Sequence, residues 1–148
     1  MVARITFESV HAGQQLPRLD VPITASLIVA GAIATSDFSL VHHDKAHAQA
    51  AGTPDIFMNI LTSNGLVQRF VHDWAGPGAR IKGLKMRLGA PNFPGDAMQL
   101  SGTVTAKEVI GQDRIVEVAV SGKNRLGEHV TATVRLALPS PERKARHA

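Results

Sequence analysis

Residues 55–78, DIFMNILTSNGLVQRFVHDWAGPG, constrain the fold of this chain more than any other stretch. Their apolar side chains recur at steps of three and four, the spacing that places them on one face of an α-helix. Further apolar residues lie between these positions, so we predict a mostly buried helix of about four turns that ends at AGPG. Gly65 in its middle costs stability unless another group packs closely there. The recurring positions are Ile56, Ile60, Val67, Phe70, Val71 and Trp74.

Four segments of strand character follow this helix, with turn-forming residues between them. The last, residues 129–138, alternates most clearly, with Val130, Val134 and Leu136 on one face and threonines on the other. A single antiparallel sheet needs a helix to complete its core. We therefore predict an α+β fold with the sheet wrapped round the long helix. The earlier strands are predicted at residues 79–90, 97–110 and 114–120, with turns at residues 91–96, 111–113 and 121–128.

The first third of the chain has a less regular pattern. Residues 23–35, ITASLIVAGAIAT, hold the most apolar run and predict a strand, although their alanines would also permit a helix. Residues 3–10 have mixed strand character, and residues 11–22 are typical of a loop. Residues 44–52 predict a short helix that starts at Asp44 and stops at Gly52.

The composition is that of an ordinary globular chain, 44% hydrophobic and 19% charged over 148 residues. We predict one domain over residues 1–138 and a basic, flexible tail over residues 139–148. The net charge is +4, but aromatic residues make up only 4% and tyrosine is absent, which argues against nucleic-acid binding.

The apolar run at residues 26–34 bears on the location of the protein. It is too short to span a bilayer, and it begins too late in the chain to be a signal peptide. The chain also has no cysteine, which excludes disulfides and thiolate metal sites. We therefore expect a soluble, cytoplasmic protein without a membrane partner.

The motif SDFSLVHHD, residues 36–44, places two acids and two adjacent histidines directly after that run. Asp37 and His42 would diverge on a regular helix, but they can converge across a turn. A carboxylate beside an imidazole is a general acid–base pair that can hold a water molecule and move its protons. The same residues allow a structural interpretation, in which Asp37 caps the next turn and His42 is half-buried.

A metal site is a third interpretation of this stretch. His43 and His47 are spaced to share a helix face beside Asp44. A third ligand is not evident and HExxH is absent, so we predict no metal. His72 and His129 stand alone and are expected to be surface or packing residues. Four basic residues of the first predicted strand after the helix suit either a phosphate-bearing ligand or a solvated face. They are Arg80, Lys82, Lys85 and Arg87.

SDFSLVHHD resembles the signature of the MaoC-like R-specific enoyl-CoA hydratases, which runs Ser/Gly-Asp-x-Asn-Pro-x-His-x-Asp. The resemblance covers residues 23–138 and implies a hotdog fold, an antiparallel sheet wrapped round a long central helix. It implies that Asp37 is the catalytic aspartate and His42 the catalytic histidine. Asp44 matches the aspartate that starts the following helix.

The sequence departs from the family pattern at both sides of the implied site. Ser39 replaces the usual asparagine and Leu40 the usual proline. In the family the central helix opens with a His-Gly pair, whose glycine N–H binds the thioester oxygen, and here the matching pair is Met58 and Asn59. The resemblance therefore implies that the backbone N–H of Asn59 is the oxyanion donor.

Longer stretches are similar to the small, dyad-bearing subunits of steroid side-chain hydratases from cholesterol-degrading actinobacteria. These stretches include VHHD, NILT, GLVQR, DWAGP and HVTATV. The similarity implies a hydro-lyase that adds water to an α,β-unsaturated steroid CoA thioester in cholesterol side-chain degradation. It implies a larger MaoC-like partner subunit in an α2β2 heterotetramer and a downstream aldolase complex as a further partner. It implies no cofactor, because CoA is part of the substrate.

Two alternatives remain open within the hotdog class. A thioesterase of this fold usually carries a carboxylate on the central helix, and the predicted helix has Asp55 at its start and Asp73 near its end but none between. A non-catalytic hotdog subunit would only shape another subunit's site. The changes at Ser39 and Leu40 favour that role, whereas the Asp37–His42 pair argues against it.

Overall fold

The structure, a computed structural model, describes residues 5–141. Its strands are β1 Leu19–Ile23, β2 Arg80–Leu88, β3 Asp96–Ile110, β4 Asp113–Asn124 and β5 Gly127–Ala137. Its helices are α1 Ala25–Ala34, α2 Lys45–Ala50 and α3 Ile60–Ala75, with a 3-10 turn at Leu40–His42. The strands form one antiparallel sheet in the order β1-β3-β4-β5-β2.

The hydrophobic core lies between α3 and the inner face of the sheet. Leu66, Val67, Phe70 and Val71 form the buried stripe of α3, at the three- and four-residue steps seen in the sequence. The sheet contributes alternate residues that are buried to 3% exposure or less, namely Met98, Leu100, Val104, Val116, Val118, Val120, Val130, Val134 and Leu136. The sheet wrapped round a central helix is the hotdog fold, so the predicted architecture is confirmed.

The long helix is shorter than the predicted 55–78 at both ends. It begins after Asn59, whose side chain caps the N–H of Thr62 at 3.0 Å, and it ends at Gly76, which adopts a φ of 79°. Ile56 is buried as predicted, but it belongs to a non-helical segment together with the buried Met58, whereas Ile60, predicted on the buried face, is 52% exposed. Met58 donates its N–H to the carbonyl of Asn92 at 3.1 Å, so this segment is tied to the β2–β3 connection.

The predicted strand at residues 23–35 is wrong, because this apolar run forms α1. Thr24 caps the helix by accepting the Leu27 N–H at 3.0 Å, and only Ile28 and Ala32 are fully buried. The helix is apolar on almost all sides, so its sequence lacks the polar face that would reveal a helical period. The first strand, β1, instead ends the segment predicted as a loop and pairs with β3.

The other predictions agree with the structure more closely. The short helix α2 is capped by Asp44, and Gly52 follows it with a φ of 100°. β4 and β5 extend further than predicted, so the turn between them shrinks to residues 125–126. Residues 5–10 form turns and not a strand. Most of the predicted tail lies outside the described residues, and the domain boundary stays a prediction. No helix within residues 5–141 has the length and apolar character needed to cross a membrane.

Candidate functional site

The end of α1 determines where Asp37 lies. Ser36 adopts a left-handed conformation with a φ of 57°, and its N–H bonds to the carbonyl of Ile33 at 3.0 Å. The N–H of Asp37 bonds to the carbonyl of Ala32 at 2.8 Å. This pair of bonds is a Schellman motif, which ends a helix and turns the chain sharply. The turn takes Asp37 away from the axis of α1 and holds its backbone in place.

His42 ends the 3-10 turn, and Phe57 contacts its imidazole through both its backbone and its ring. Its Nδ1 lies 2.7 Å from the carbonyl oxygen of Phe57, which can only accept, so Nδ1 carries a proton. The ring of Phe57 packs edge-on against the imidazole, with centroids 5.0 Å apart. The His42 side chain is only 9% exposed, more buried than the half-buried state considered from the sequence. In the neutral ring, Nε2 is therefore the nitrogen with the free lone pair.

The Asp37 carboxylate and the His42 imidazole converge. Nε2 of His42 lies 3.3 Å from Oδ2 of Asp37, whose side chain is 29% exposed. The carboxylate oxygen and the proton-accepting ring nitrogen thus face one small volume that solvent can reach. The pairing expected from the sequence is present, and this geometry suits a general acid–base pair acting on one water molecule.

The two oxygens of Asp37 have different partners. Oδ1 accepts the N–H of Ser39 at 3.3 Å, the local capping contact that the structural interpretation anticipated. Oδ2 accepts a proton from the side-chain amide of Asn59 at 3.0 Å. The hydrogen bonds from Asn59 and from Ser39 lower the pKa of Asp37 below its ordinary value, against the smaller effect of burial, which raises it. The carboxylate is therefore held in its ionised form.

The side chain of Asn59 is part of this arrangement, and the sequence analysis considered only its backbone. Asn59 is 2% exposed and caps α3. Its Nδ2 donates to Asp37 and also to Oγ1 of Thr35 at 2.9 Å. The residues it joins lie more than twenty positions away in the chain, so no local spacing could have revealed these contacts.

A second buried polar pair lies at the first turn of α3. His129 is 2% exposed, with Nδ1 2.7 Å from the carbonyl of Ala90 and Nε2 2.8 Å from Oγ of Ser63. The carbonyl fixes the proton on Nδ1, so the Ser63 hydroxyl donates to Nε2. Burial lowers the pKa of His129 despite the opposing effect of the Ala90 carbonyl, so the ring is held neutral. The expectation of a packing residue was correct, but its hydrogen bonds anchor α3 to the sheet.

The remaining candidates from the sequence do not join the dyad. Asp44 caps α2 through the N–H of His47, and no group of three metal-ligating side chains occurs within residues 5–141. The two acids considered for a thioesterase have cationic partners: Asp55 lies 3.3 Å from Lys45, and Asp73 lies 3.4 Å from Arg69. Asp55 also precedes α3, which begins at Ile60.

The basic residues of β2 divide into two pairs. Arg80 and Lys82 both contact Asp113, at 3.1 and 2.7 Å. Lys85 and Arg87 line an open groove of about 630 Å³. The other groove residues include the exposed Ser101, Thr131 and Thr133 and the partly buried Thr103, which point away from the core and α3. The groove contains neither Asp37 nor His42.

The family model described as MaoC like domain matches residues 6–125 of this chain. This chain belongs to the MaoC-like family. A Mycobacterium tuberculosis protein named 3-oxo-4,17-pregnadiene-20-carboxyl-CoA hydratase beta subunit is 50% identical over 126 residues. The alignment covers 85% of this chain and 95% of that relative.

Solved structures of MaoC-like proteins have the same fold. A chain of the ChsH1-ChsH2 complex from Mycobacterium tuberculosis matches with a TM-score of 0.82 at 49% identity, covering 87% of this chain and 98% of that one. The R-hydratase PhaJ1 from Pseudomonas aeruginosa has a TM-score of 0.82 at 21% identity, covering 93% of this chain and 87% of that one. At that identity, the second match shows the hotdog fold alone.

Proposed function

We propose that this chain is the dyad-bearing subunit of an enoyl-CoA hydratase that adds water to an α,β-unsaturated steroid CoA thioester. One observation carries the proposal: Nε2 of His42 lies 3.3 Å from Oδ2 of Asp37, beside the start of α3. The relative with 50% identity, whose name describes a hydratase subunit for a pregnadiene carboxyl-CoA, supports the same reaction and substrate class.

The dyad holds and deprotonates the attacking water. The carboxylate of Asp37 accepts a hydrogen bond from one water O–H, which stays intact, and the lone pair on Nε2 of His42 takes the proton of the other as the oxygen attacks. The Nδ1–H bond to the Phe57 carbonyl keeps Nε2 as the accepting nitrogen throughout. The nearby carboxylate then stabilises the imidazolium that forms.

The start of α3 activates the thioester for attack by water. The first N–H groups of a helix lack intrahelical partners and carry its positive dipole end. The backbone N–H of Asn59 forms no hydrogen bond within the described part of the chain. In the proposed complex it donates to the thioester oxygen, on which negative charge develops as the bond forms. The carbonyl is thereby polarised and the β-carbon made electrophilic.

The addition is balanced in protons and electrons. A carbon–oxygen bond forms at the β-carbon while a water O–H bond breaks toward His42, and the alkene electrons move into an enolate. The enolate collapses as the α-carbon takes a proton from the dyad on the same face. The dyad returns to its starting state, and the reaction as proposed uses no metal or redox cofactor.

A larger MaoC-like subunit is proposed as the partner, in an α2β2 heterotetramer. The relative is named as a beta subunit, and the similar solved chain comes from a two-component complex. A steroid needs a wide apolar cavity, which two subunits enclose more readily than one. The aldolase complex remains a predicted downstream partner. A cytoplasmic location is proposed because a chain without cysteine suits a reducing compartment.

The test is a hydration assay on the chain co-expressed with a large MaoC-like subunit. Loss of the enoyl absorbance and release of free thiol are followed together, on a steroid enoyl-CoA and on a short linear one. Asp37→Asn should lower kcat by about 100-fold or more. Asp73→Asn makes the same chemical change at an exposed position of α3, and it should leave the hydration activity unchanged.

Each failure of this test has a distinct meaning. Free thiol released without a preceding hydrated product identifies a thioesterase. Full hydration activity in Asp37→Asn, with assembly intact, assigns this chain a non-catalytic role. Turnover of the short substrate but not the steroid one overturns the proposed substrate class.

A further inference from the structure

The side chain of Asn59 connects three separate parts of the site. Its Nδ2 donates to Oδ2 of Asp37 at 3.0 Å and to Oγ1 of Thr35 at 2.9 Å. Its Oδ1 accepts the backbone N–H of Thr62 at 3.0 Å and also the Thr62 hydroxyl. With 2% of its surface exposed, Asn59 makes these contacts away from bulk water. Each polar atom of the amide therefore has two partners within the protein.

These contacts fix the position of the amide from opposite sides. The Thr35 hydroxyl donates in turn to the carbonyl of Gly31 at 2.8 Å, so it accepts from Asn59 with its lone pairs. On the other side, the first turn of α3 holds Oδ1. An amide anchored at both its oxygen and its nitrogen has little rotational freedom, and its second N–H points at Asp37.

We propose that the side chain of Asn59 is a positioning residue for the hydration dyad, which holds Oδ2 of Asp37 against His42 and sets its distance from the start of α3. The inference rests on the proposed hydratase function and deepens it. Asn59 thus has two roles. Its backbone N–H donates to the thioester oxygen, and its side chain positions Asp37, which activates water together with His42.

The charge state of Asp37 gives this role a measurable consequence. Among the groups that lower the pKa of Asp37, the Asn59 hydrogen bond has the largest effect. Removing the donor therefore raises that pKa, because the ionised carboxylate loses its strongest partner. A group that merely capped α3 would have no such influence on the dyad.

Asn59→Asp separates the two functions of the side chain. It keeps an oxygen that caps α3, and Asp is as good an N-cap as Asn. It replaces the amide nitrogen with a carboxylate oxygen next to Oδ2 of Asp37, and two adjacent carboxylates cannot both ionise easily. In the co-expressed complex we expect kcat to fall about 10- to 100-fold with KM little changed. The acid limb of the kcat/KM profile should move up by about one pH unit or more.

Two further variants complete the test. Asn64→Asp makes the same change on α3, where Asn64 contacts Gln68 and not the dyad, and should keep the wild-type profile. Asn59→Ser retains a hydroxyl that can cap α3 but does not reach Asp37. If Asn59→Asp does not fold, a lower kcat in Asn59→Ser supports the positioning role of the Asn59 side chain. A wild-type kcat and pH profile in either Asn59 variant, even with lower thermal stability, overturns the inference. The proposed function itself fails only if the wild-type complex does not hydrate or Asp37→Asn keeps activity.

Discussion

A side chain on Gly31 would collide with Thr62: a Cβ built on Gly31 lies 2.2 Å from the Thr62 Oγ1. α1 and α3 thus approach each other where only glycine leaves room. The same Thr62 hydroxyl donates to Asn59, and Asn59 donates to Asp37. The close approach of the two helices is therefore linked to the dyad by two hydrogen bonds.

Gly31→Ala should disturb both stability and activity. The added methyl group forces Thr62 or the helix backbone to move, which costs about 1–3 kcal/mol in a packed interior. The displaced Thr62 releases the oxygen of Asn59, so hydration should slow as well. Denaturant unfolding measures the first effect, and kcat in the co-expressed complex measures the second. A variant with wild-type values of both would show that the contact is easily relieved.

Gly65→Ala is the opposite case and serves as the matched comparison. A Cβ on Gly65 meets no atom within 4 Å, although Gly65 lies within α3. Alanine is favoured over glycine inside a helix by about 0.5–1 kcal/mol. We expect this variant to unfold at a higher denaturant concentration than the wild-type chain. Destabilisation in the isolated chain would mean that the space beside Gly65 is smaller than the structure indicates.

His42→Asn should remove proton transfer and keep the structural contact. The asparagine amide can take the place of Nδ1 and donate to the carbonyl of Phe57, but nothing replaces Nε2. We expect kcat to fall by about 10²- to 10⁴-fold, the usual contribution of a general base. The unfolding midpoint should change far less than in His42→Ala, which loses the hydrogen bond to the Phe57 carbonyl as well as Nε2. Equal activity in wild type and His42→Asn would exclude His42 as the base.

The sequence predicted the elements whose side chains follow one clear period. α3 and the four strands after it bury one stripe or one face each, so the pattern shows both their type and their order. α1 was mistaken for a strand because it is apolar on nearly every side, and the capping residue Thr24 was its best local signal. The start of α3 was placed too early because Ile56 and Met58 are buried without being helical.

The candidate site shows the same difference between contacts within one short segment and contacts between distant segments. Asp37 and His42 lie in one short motif, so the sequence offered their meeting across a turn as one interpretation, and the family resemblance favoured it. The contacts of Asn59 with Thr35 and Asp37, and of Ser63 with His129, join residues that are brought together only by packing of α3. A buried polar side chain reveals its partner only once the elements around it are placed. None of these three contacts could be predicted from residue spacing.

His129 should make the stability of the chain fall as the pH decreases below about 6.5, the ordinary value for histidine. Burial lowers the pKa of the folded state, so in that range the unfolded chain takes up a proton that the folded ring does not. Stability is full above the unfolded pKa and is lost progressively until the pH passes the lower, folded pKa. The slope for one proton is at most about 1.4 kcal/mol per pH unit.

His129→Gln removes this titration while it keeps a side chain that can donate and accept. We expect the free energy of unfolding of the variant to depend less on pH than that of the wild type, measured from about pH 8 to about pH 5. His11→Gln, at an exposed loop position, is the control and should keep the wild-type slope. An identical slope in wild type and His129→Gln would mean that the folded protein accommodates the protonated ring. In that case the Ser63 hydroxyl has to reorient so that its oxygen accepts the Nε2–H of His129.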